Sequence, residues 1–295
     1  MRRLLIGLIG GNIGGSLSPA LHEDACAAIG IGGHYHLMDV DGPRPRTLPG
    51  LLDAVRLAGF AGVNVTYPFK EAVLPLLDTV APEAAEIGAV NTVVFDPAGR
   101  TTGHNTDRSG FRRAFEEALG ADAARGKPVL LLGAGGAGRA VAFALMDLGA
   151  DPLLVYDRDA ARAVALCADL ARHRGGQRCE ALANPVPAAS RVAGIVNATP
   201  IGMLGHAGLP MATEHILPHH FVTDVIYTPI ETRFVLAARA KGCPTMNGGG
   251  MCVHQAADAF RHFTGKAPDV ARMKRVFAEA CARRDASHDH VIDAE

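Results

Sequence analysis

The sequence has almost no net charge: 29 lysines and arginines meet 30 aspartates and glutamates over 295 residues, a formal balance of -1. That balance offers no general attraction to nucleic acid or to an anionic membrane, so local charge must carry any anion binding. Long apolar runs are also missing. The opening Met1-Arg2-Arg3-Leu4-Leu5-Ile6-Gly7 breaks at Gly10-Gly11-Asn12 without a small-residue cleavage site, so it reads as a strand rather than a signal peptide. Nothing approaches the roughly 20 apolar residues that cross a bilayer. The six cysteines form no C-x-x-C pair and sit mostly in apolar segments. Reduced, buried thiols in a cytoplasmic protein are expected, without a disulfide or a zinc role. Thirteen histidines invite a metal reading, yet His34-x-His36, His219-His220 and His254 lack matching carboxylate or cysteine spacing, so no metal site is expected. Repeats and low-complexity tracts are absent.

What is present is a chain, 48% hydrophobic, long enough to bury a substantial core and to form two domains. Short apolar runs alternate with helical patterns: a strand at 4–9, a helix at 19–29 closed by Gly30, a strand at 34–40 and another at 62–66. A helix from about Phe69 and a hairpin follow, the hairpin running from 90–95 through Asp96-Pro97-Ala98-Gly99 to 101–107. After a helix at 109–119 the pattern restarts with a very apolar strand at 128–132, a helix at 138–148, a strand at 153–157 and a helix at 160–172. Strands at 194–197 and 221–227 extend this second unit. It has the signature of a parallel sheet with crossover helices. Helices at 250–263 and 269–283 close the chain.

Gly133-Ala134-Gly135-Gly136-Ala137-Gly138 satisfies G-x-G-x-x-G directly after a strand and directly before a helix. The first glycine permits a tight turn, the second lets backbone approach a pyrophosphate, and the helix N-terminus offers N–H groups and positive dipole to the phosphates. A dinucleotide site is the expected reading, against a merely flexible loop. Asp157 ends the second strand of this unit, where an acid accepts hydrogen bonds from ribose hydroxyls. It favours NAD, because the extra phosphate of NADP meets a like charge. Arg158 next to it offsets part of that charge and keeps NADP as the alternative; the bland reading of Asp157 is a solvated turn.

Polar residues cluster where other strands end. Ser16-Leu17-Ser18-Pro19 leads into a helix and reads either as a carboxylate receptor or as a plain cap with Ser18 at N-cap and Pro19 at N1. Asn64 and Thr66 share one strand face, with Lys70 one turn into the expected helix. Asn91-Thr92 and His104-Asn105-Thr106-Asp107 add amides and a carboxylate. Together they form a donor and acceptor set suited to a polyol, outside the dinucleotide unit. Oxidising a hydroxyl requires a group that takes its proton, and Lys70 and Asp107 are the candidates, against a surface lysine and a loop aspartate.

In this order the motifs resemble the shikimate dehydrogenase family. The resemblance runs from Ser16-Leu17-Ser18-Pro19 through 64–70, 88–92, Asn105-Thr106-Asp107, the glycine loop, Asn197-Ala198-Thr199-Pro200 and 224–227 to 248–255. It implies that Ser16 and Ser18 hold a substrate carboxylate with Tyr227 close by. By the same resemblance Asn64, Thr66, Asn91, Asp107 and Gln255 contact ring hydroxyls, Lys70 with Asp107 is the catalytic pair, and Thr199, Val225 and Gly248 lie along the nicotinamide. Asp157-Arg158-Asp159 stands where NADP-dependent members typically show Asn-Arg-Thr, and so is similar to the NAD-using quinate/shikimate branch. Ser18, where that branch often has threonine, matches the shikimate-selective pattern and keeps shikimate ahead of quinate.

The expected fold is α/β: an N-terminal α/β substrate domain (1–108) completed by C-terminal helices (246–295), plus an inserted Rossmann-like dinucleotide-binding domain with a parallel sheet (109–245). Catalysis is expected in the cleft between them, by a monomer or homodimer. Two rival readings are an inactive sensor of the ring acid on the same fold and a dehydrogenase for an unrelated folate or amino acid. Lys70, Asp107 and the glycine loop speak against the first, the polar clusters before residue 108 against the second.

Overall fold

The structure is a computed structural model that describes residues 3–42, 46–175 and 178–292. The chain divides into two compact units, one of Met1–Ala85, Ala89–Thr106 and Gln255–Glu295, the other of Glu86–Gly88 and Asp107–His254. The elements in chain order are β1 (Arg3–Gly10), α1 (Ser18–Ala28), β2 (Gly32–Asp39), α2 (Leu48–Leu57), β3 (Gly62–Val65), β4 (Thr79–Val80), α3 (Pro82–Ile87), β5 (Thr92–Phe95), β6 (Thr101–His104) and α4 (Asp107–Leu119). They continue with β7 (Val129–Leu132), α5 (Gly136–Asp147), β8 (Leu153–Tyr156), α6 (Ala160–Arg174), β9 (Cys179–Ala181), α7 (Val186–Ala189) and β10 (Gly194–Asn197). The last are β11 (Phe221–Asp224), α8 (Arg233–Ala240), β12 (Thr245–Met246), α9 (Gly248–Thr264) and α10 (Val270–Ile292).

The first unit is built on a mixed sheet of order β2-β1-β3-β5-β6-β4. β1 runs parallel to β2 and β3, while β5 is antiparallel to both β3 and β6. The two-residue period of β1 sends Leu4, Ile6 and Leu8 to one face, against Ala25 and Cys26 of α1 and Phe260 and Phe263 of α9. Ile9 faces the other way, into a layer with Leu48, Leu52, Val63 and Val65. C-terminal helices therefore do complete this unit, and Arg272 of α10 forks onto Asp24 of α1 at 2.7 and 2.8 Å. On β3 the same period matters for function: Val63 and Val65 enter the α2 layer, so Asn64 between them points to the opposite face.

The second unit has a wholly parallel sheet of order β12-β11-β10-β7-β8-β9. Numbered from its own first strand this is the 3-2-1-4-5-6 doubly wound order, with the chain reversing direction across the sheet beside β7. Every residue of β7, Val-Leu-Leu-Leu, is buried, as a central strand covered on both faces requires. Arg108, second residue of α4, holds Glu86 at 2.6 Å and Asp147 of α5 at 2.7 and 2.8 Å, which pins the first turn of α4.

The structure corrects several expectations. No helix starts at Phe69. One helical bond forms there, from Val73 N–H to Phe69 C=O at 3.0 Å, and a short 3₁₀ turn at Leu74–Leu76 follows. Pro75 has no N–H to continue the ladder, so Lys70 stands on a turn. The hairpin's return strand ends at His104, and Asp107 opens α4 instead of lying on that strand. Ser18 is not a cap: Leu17 takes the N-cap position and Ser18 the first helical one, with no side-chain cap bond. β8 and β11 end at Tyr156 and Asp224, short of the expected 157 and 227. Elements not foreseen are α2, α3, α7, α8, β4, β9 and β12. Cys167 of α6 and Cys179 of β9 form a disulfide, contrary to the expected thiols, because neighbouring elements bring together two cysteines separated by 12 positions in sequence. The other four cysteines are buried. Among the described residues no helix is long and apolar enough to cross a membrane.

Candidate active site

The glycine loop connects β7 to α5 at the switch point of the parallel sheet. Gly133 has φ +101°, a conformation that glycine adopts without penalty, and a Cβ there would stand 2.9 Å from the Ala198 carbonyl group. A Cβ on Gly138 would lie 2.1 Å from the Gly133 carbonyl oxygen, so this glycine permits the helix to pack on the loop. Gly135 is different. The nearest atom to its Cβ position is Arg162 Nη1 at 3.6 Å, so the protein leaves space outside it. Gly135 is also the N-cap of α5 and places no side chain over the helix N-terminus. With Gly136 and Ala137 opening the helix, the cradle fits a pyrophosphate held by backbone N–H groups.

Asp157 lies just past β8, and its carboxylate accepts from Ala134 N–H at 2.7 Å and from Asp159 N–H at 2.9 Å. It therefore ties the glycine loop to the turn after β8, a role the sequence did not reveal. Arg158 beside it is exposed. Further along the sheet, Asn197 at the end of β10 donates to Asp224 Oδ1 at 3.0 Å and accepts from Thr199 N–H and Oγ1–H at 3.0 and 2.7 Å. Asp224, fully buried at the end of β11, also accepts from Ile226 N–H at 3.0 Å and Thr232 Oγ1–H at 2.8 Å. Burial pushes its carboxyl up to about 6 against the pull of these three donors. Gly248 packs against this loop, for a Cβ there would meet the Val225 carbonyl oxygen at 2.2 Å. Thr199, Val225 and Gly248 are thereby held on the same side of the sheet as the glycine loop, with Tyr227 half-buried just beyond.

In the first unit the polar residues gather at the ends of β1, β3, β5 and β6. Ser16 and Ser18 place their hydroxyl oxygens 3.2 Å apart, and Ser16 Oγ accepts from Ser18 N–H at 3.3 Å. Asn64, Asn91 and Thr106 are buried, and Gln255 and Thr66 half-buried. Asn64, Thr92, Asn91 and Thr106 form one bonded cluster: Asn64 Nδ2 donates to Thr92 Oγ1 at 3.0 Å, Thr92 Oγ1 to Asn91 Oδ1 at 2.9 Å, and Asn91 Nδ2 to Thr106 Oγ1 at 2.9 Å. Thr106 Oγ1 lies 3.5 Å from Gln255 Oε1. Lys70 is half-buried on its turn, which Val90 N–H fastens at 2.8 Å through the Lys70 carbonyl. Asp107 is buried in the first turn of α4, so the two members of the expected catalytic pair belong to different units.

The histidines have other employment. His220 accepts from Leu217 N–H at 3.0 Å and stands 2.8 Å from the Ala189 carbonyl, using both ring nitrogens. His254 is buried with Nε2 3.0 Å from Glu117, while the next residue, Gln255, faces Thr106. Among the described residues no group of three potential ligands is arranged for a metal. Sequence reasoning missed Tyr35, whose hydroxyl donates to Asn64 Oδ1 at 2.9 Å. It reads as one more apolar strand residue, and nothing local marks it.

Comparison with known proteins bears on the family and the fold. The shikimate dehydrogenase substrate binding domain matches residues 8–93, and the shikimate 5'-dehydrogenase C-terminal domain matches 248–276. A quinate/shikimate dehydrogenase (NAD(+)) of Corynebacterium efficiens is 49% identical over 278 residues, 93% of this chain and 97% of that one. A shikimate dehydrogenase (NADP(+)) of Streptomyces avermitilis is 48% identical over 288 residues, 96% of this chain and 98% of that one. Among solved structures, a quinate dehydrogenase of Corynebacterium glutamicum in complex with NAD superposes with a TM-score of 0.87 at 44% identity, covering 95% of this chain and all of that one (100%).

Proposed function

The chain belongs to the shikimate dehydrogenase family and is an NAD(P)-dependent dehydrogenase, and we propose that it oxidises shikimate reversibly to 3-dehydroshikimate, with NAD as its preferred cofactor and quinate as a slower substrate. The observation that carries the substrate class is the buried cluster of Asn64, Thr92, Asn91 and Thr106 leading to Gln255. Three side-chain amides held in fixed orientation suit several hydroxyls on a rigid ring. An apolar substrate would offer this polar cluster no hydrogen bonds in exchange for its water. The sensor reading gains nothing from the relatives, which are named as dehydrogenases.

Ser16 and Ser18 receive the substrate carboxylate with Tyr227, while Asn64, Thr66, Asn91 and Gln255 hold the hydroxyls. Lys70, with Asp107 as its partner, takes the proton of the hydroxyl being oxidised. The cofactor, when bound, accepts the hydride. Gly133, Ala134, Gly135, Gly136, Ala137 and Gly138 hold its pyrophosphate, and Thr199, Val225 and Gly248 flank its nicotinamide. Asp157 supports the NAD preference because its charge faces the adenosine end, with two of its lone pairs committed to Ala134 and Asp159 and others left for ribose hydroxyls. Exposed Arg158 is the counterweight that lets NADP serve less well.

Steady-state rates with shikimate and quinate, each against NAD and NADP, test the reading together with Lys70→Ala. Shikimate with NAD is expected to give the highest kcat/KM, and Lys70→Ala to lower kcat by ~10²-fold or more with substrate binding largely kept. Near-normal turnover of Lys70→Ala would remove Lys70 as the proton carrier, and equal use of NAD and NADP would remove the role given to Asp157.

A further inference from the structure

The amide cluster has a direction, and two backbone groups set it. The Asn91 carbonyl can only accept, so the Asn64 group 3.1 Å from it must be the amide nitrogen. Asn64 Nδ2 then gives its second proton to Thr92 Oγ1 at 3.0 Å, and Thr92 passes its own proton to Asn91 Oδ1. Thr106 N–H can only donate, and it too lands on Asn91 Oδ1, at 2.9 Å. The two anchors agree: oxygen and nitrogen of both amides are assigned by fixed partners rather than by choice. At the head of the chain stands Tyr35, buried, its ring stacked on His22 at 4.8 Å and its hydroxyl donating to Asn64 Oδ1. Burial lowers His22 to about 3 and keeps it neutral, so the stack carries no charge at neutral pH.

Asn64 thus spends both amide protons inside the protein and one lone pair of Oδ1 on Tyr35. One acceptor position remains. We propose that Asn64 addresses its substrate hydroxyl solely as an acceptor, so that this hydroxyl must donate, and that Tyr35 and Thr92 are positioning residues which impose that polarity without touching substrate. The proposal rests on the reading of Asn64 as a hydroxyl contact. It explains why a tyrosine in an otherwise apolar layer of β2 and a threonine at the start of β5 carry hydroxyls at depths where each must be matched.

Michaelis constants for shikimate and for NAD, measured on Tyr35→Phe, Thr92→Val, Thr92→Ser and Asn64→Ala, test it. Tyr35→Phe keeps the ring on His22 and Thr92→Val keeps the shape, but each removes one directing hydroxyl. Both are expected to raise the shikimate KM about 3- to 10-fold, the range of one hydrogen bond, with kcat within about 3-fold and the NAD KM unchanged. Thr92→Ser, which keeps the hydroxyl and loses a methyl, is expected to stay near wild type. A packing role reverses that order, leaving Thr92→Val near wild type and Thr92→Ser impaired, and overturns the proposal. So does an unchanged KM in both Tyr35→Phe and Thr92→Val when Asn64→Ala has a raised one. If Asn64→Ala itself leaves the KM unchanged, the site reading fails first and the proposal with it.

Discussion

Asp224 offers a stability test whose sign and size come from one buried carboxylate. It has no solvent exposure, and burial raises it from 3.8 to about 6 although Ile226, Thr232 and Asn197 all donate to it. The folded chain therefore holds this proton more tightly than the unfolded one. Between pH 3.8 and about 6 the native state binds more protons, so stability falls as pH rises through that window. The contribution is fully present below 3.8 and is lost above about 6. At about 1.4 kcal/mol for each tenfold change, the whole effect is about 3 kcal/mol, of which about 2 kcal/mol falls between pH 4 and pH 7.5. Asp224→Asn retains an oxygen for Ile226 and Asn197 and turns an amide to Thr232. Any cost of that rearrangement is independent of pH. Urea unfolding of both proteins across this range should show wild type losing about 2 kcal/mol relative to Asp224→Asn as pH rises. Parallel stability curves would show that the three donors offset burial fully, and would refute the assignment of a raised carboxyl.

Two further outcomes follow from the second unit. Gly138→Ala forces a Cβ onto the Gly133 carbonyl at 2.1 Å and should lower both Tm and NAD affinity, whereas Gly135→Ala, with φ -78° and 3.6 Å to the nearest atom, should fold normally yet bind NAD at least ~10-fold more weakly by calorimetry; equal loss of Tm in both would contradict the separate roles given to the two glycines. The Cys167–Cys179 bond closes a loop of 12 positions, so reductant or the double serine variant should lower unfolding stability by about 3 kcal/mol, and thiol titration in denaturant without reductant should find the four remaining cysteines rather than all six.

Local signals made much of this molecule legible. The glycine loop was readable because its G-x-G-x-x-G spacing between a strand and a helix spans only six positions, and the polar clusters because alternation along short strands marks which residues leave the core. The expected helix at Phe69 failed on a signal that was present, Pro75, which limits the turn carrying Lys70 to a single helical bond. Other features had no local trace. Asp157 was visible as an acid at a strand end, but its grip on Ala134 crosses 23 positions. Asp224 was part of a recognised segment, yet its neighbours Asn197 and Thr232 come from another strand and from the cap of α8.

Tyr35 shows most clearly why a list of reactive residues falls short of a site. Asn64 can be picked from sequence as a polar residue among valines, but an amide is both donor and acceptor, and its spacing says nothing of which end faces a ligand. That choice is made by the Asn91 carbonyl 27 positions away and the Tyr35 hydroxyl 29 positions away, both brought to β3 only when the sheet order β2-β1-β3-β5 is complete. The residues that contact a substrate are legible as chemistry, while the residues that decide what those contacts mean are legible only as topology. On that proposal a substitution that preserves every contact residue still changes substrate affinity, and Tyr35→Phe, which removes a single oxygen atom, is the variant that tests it.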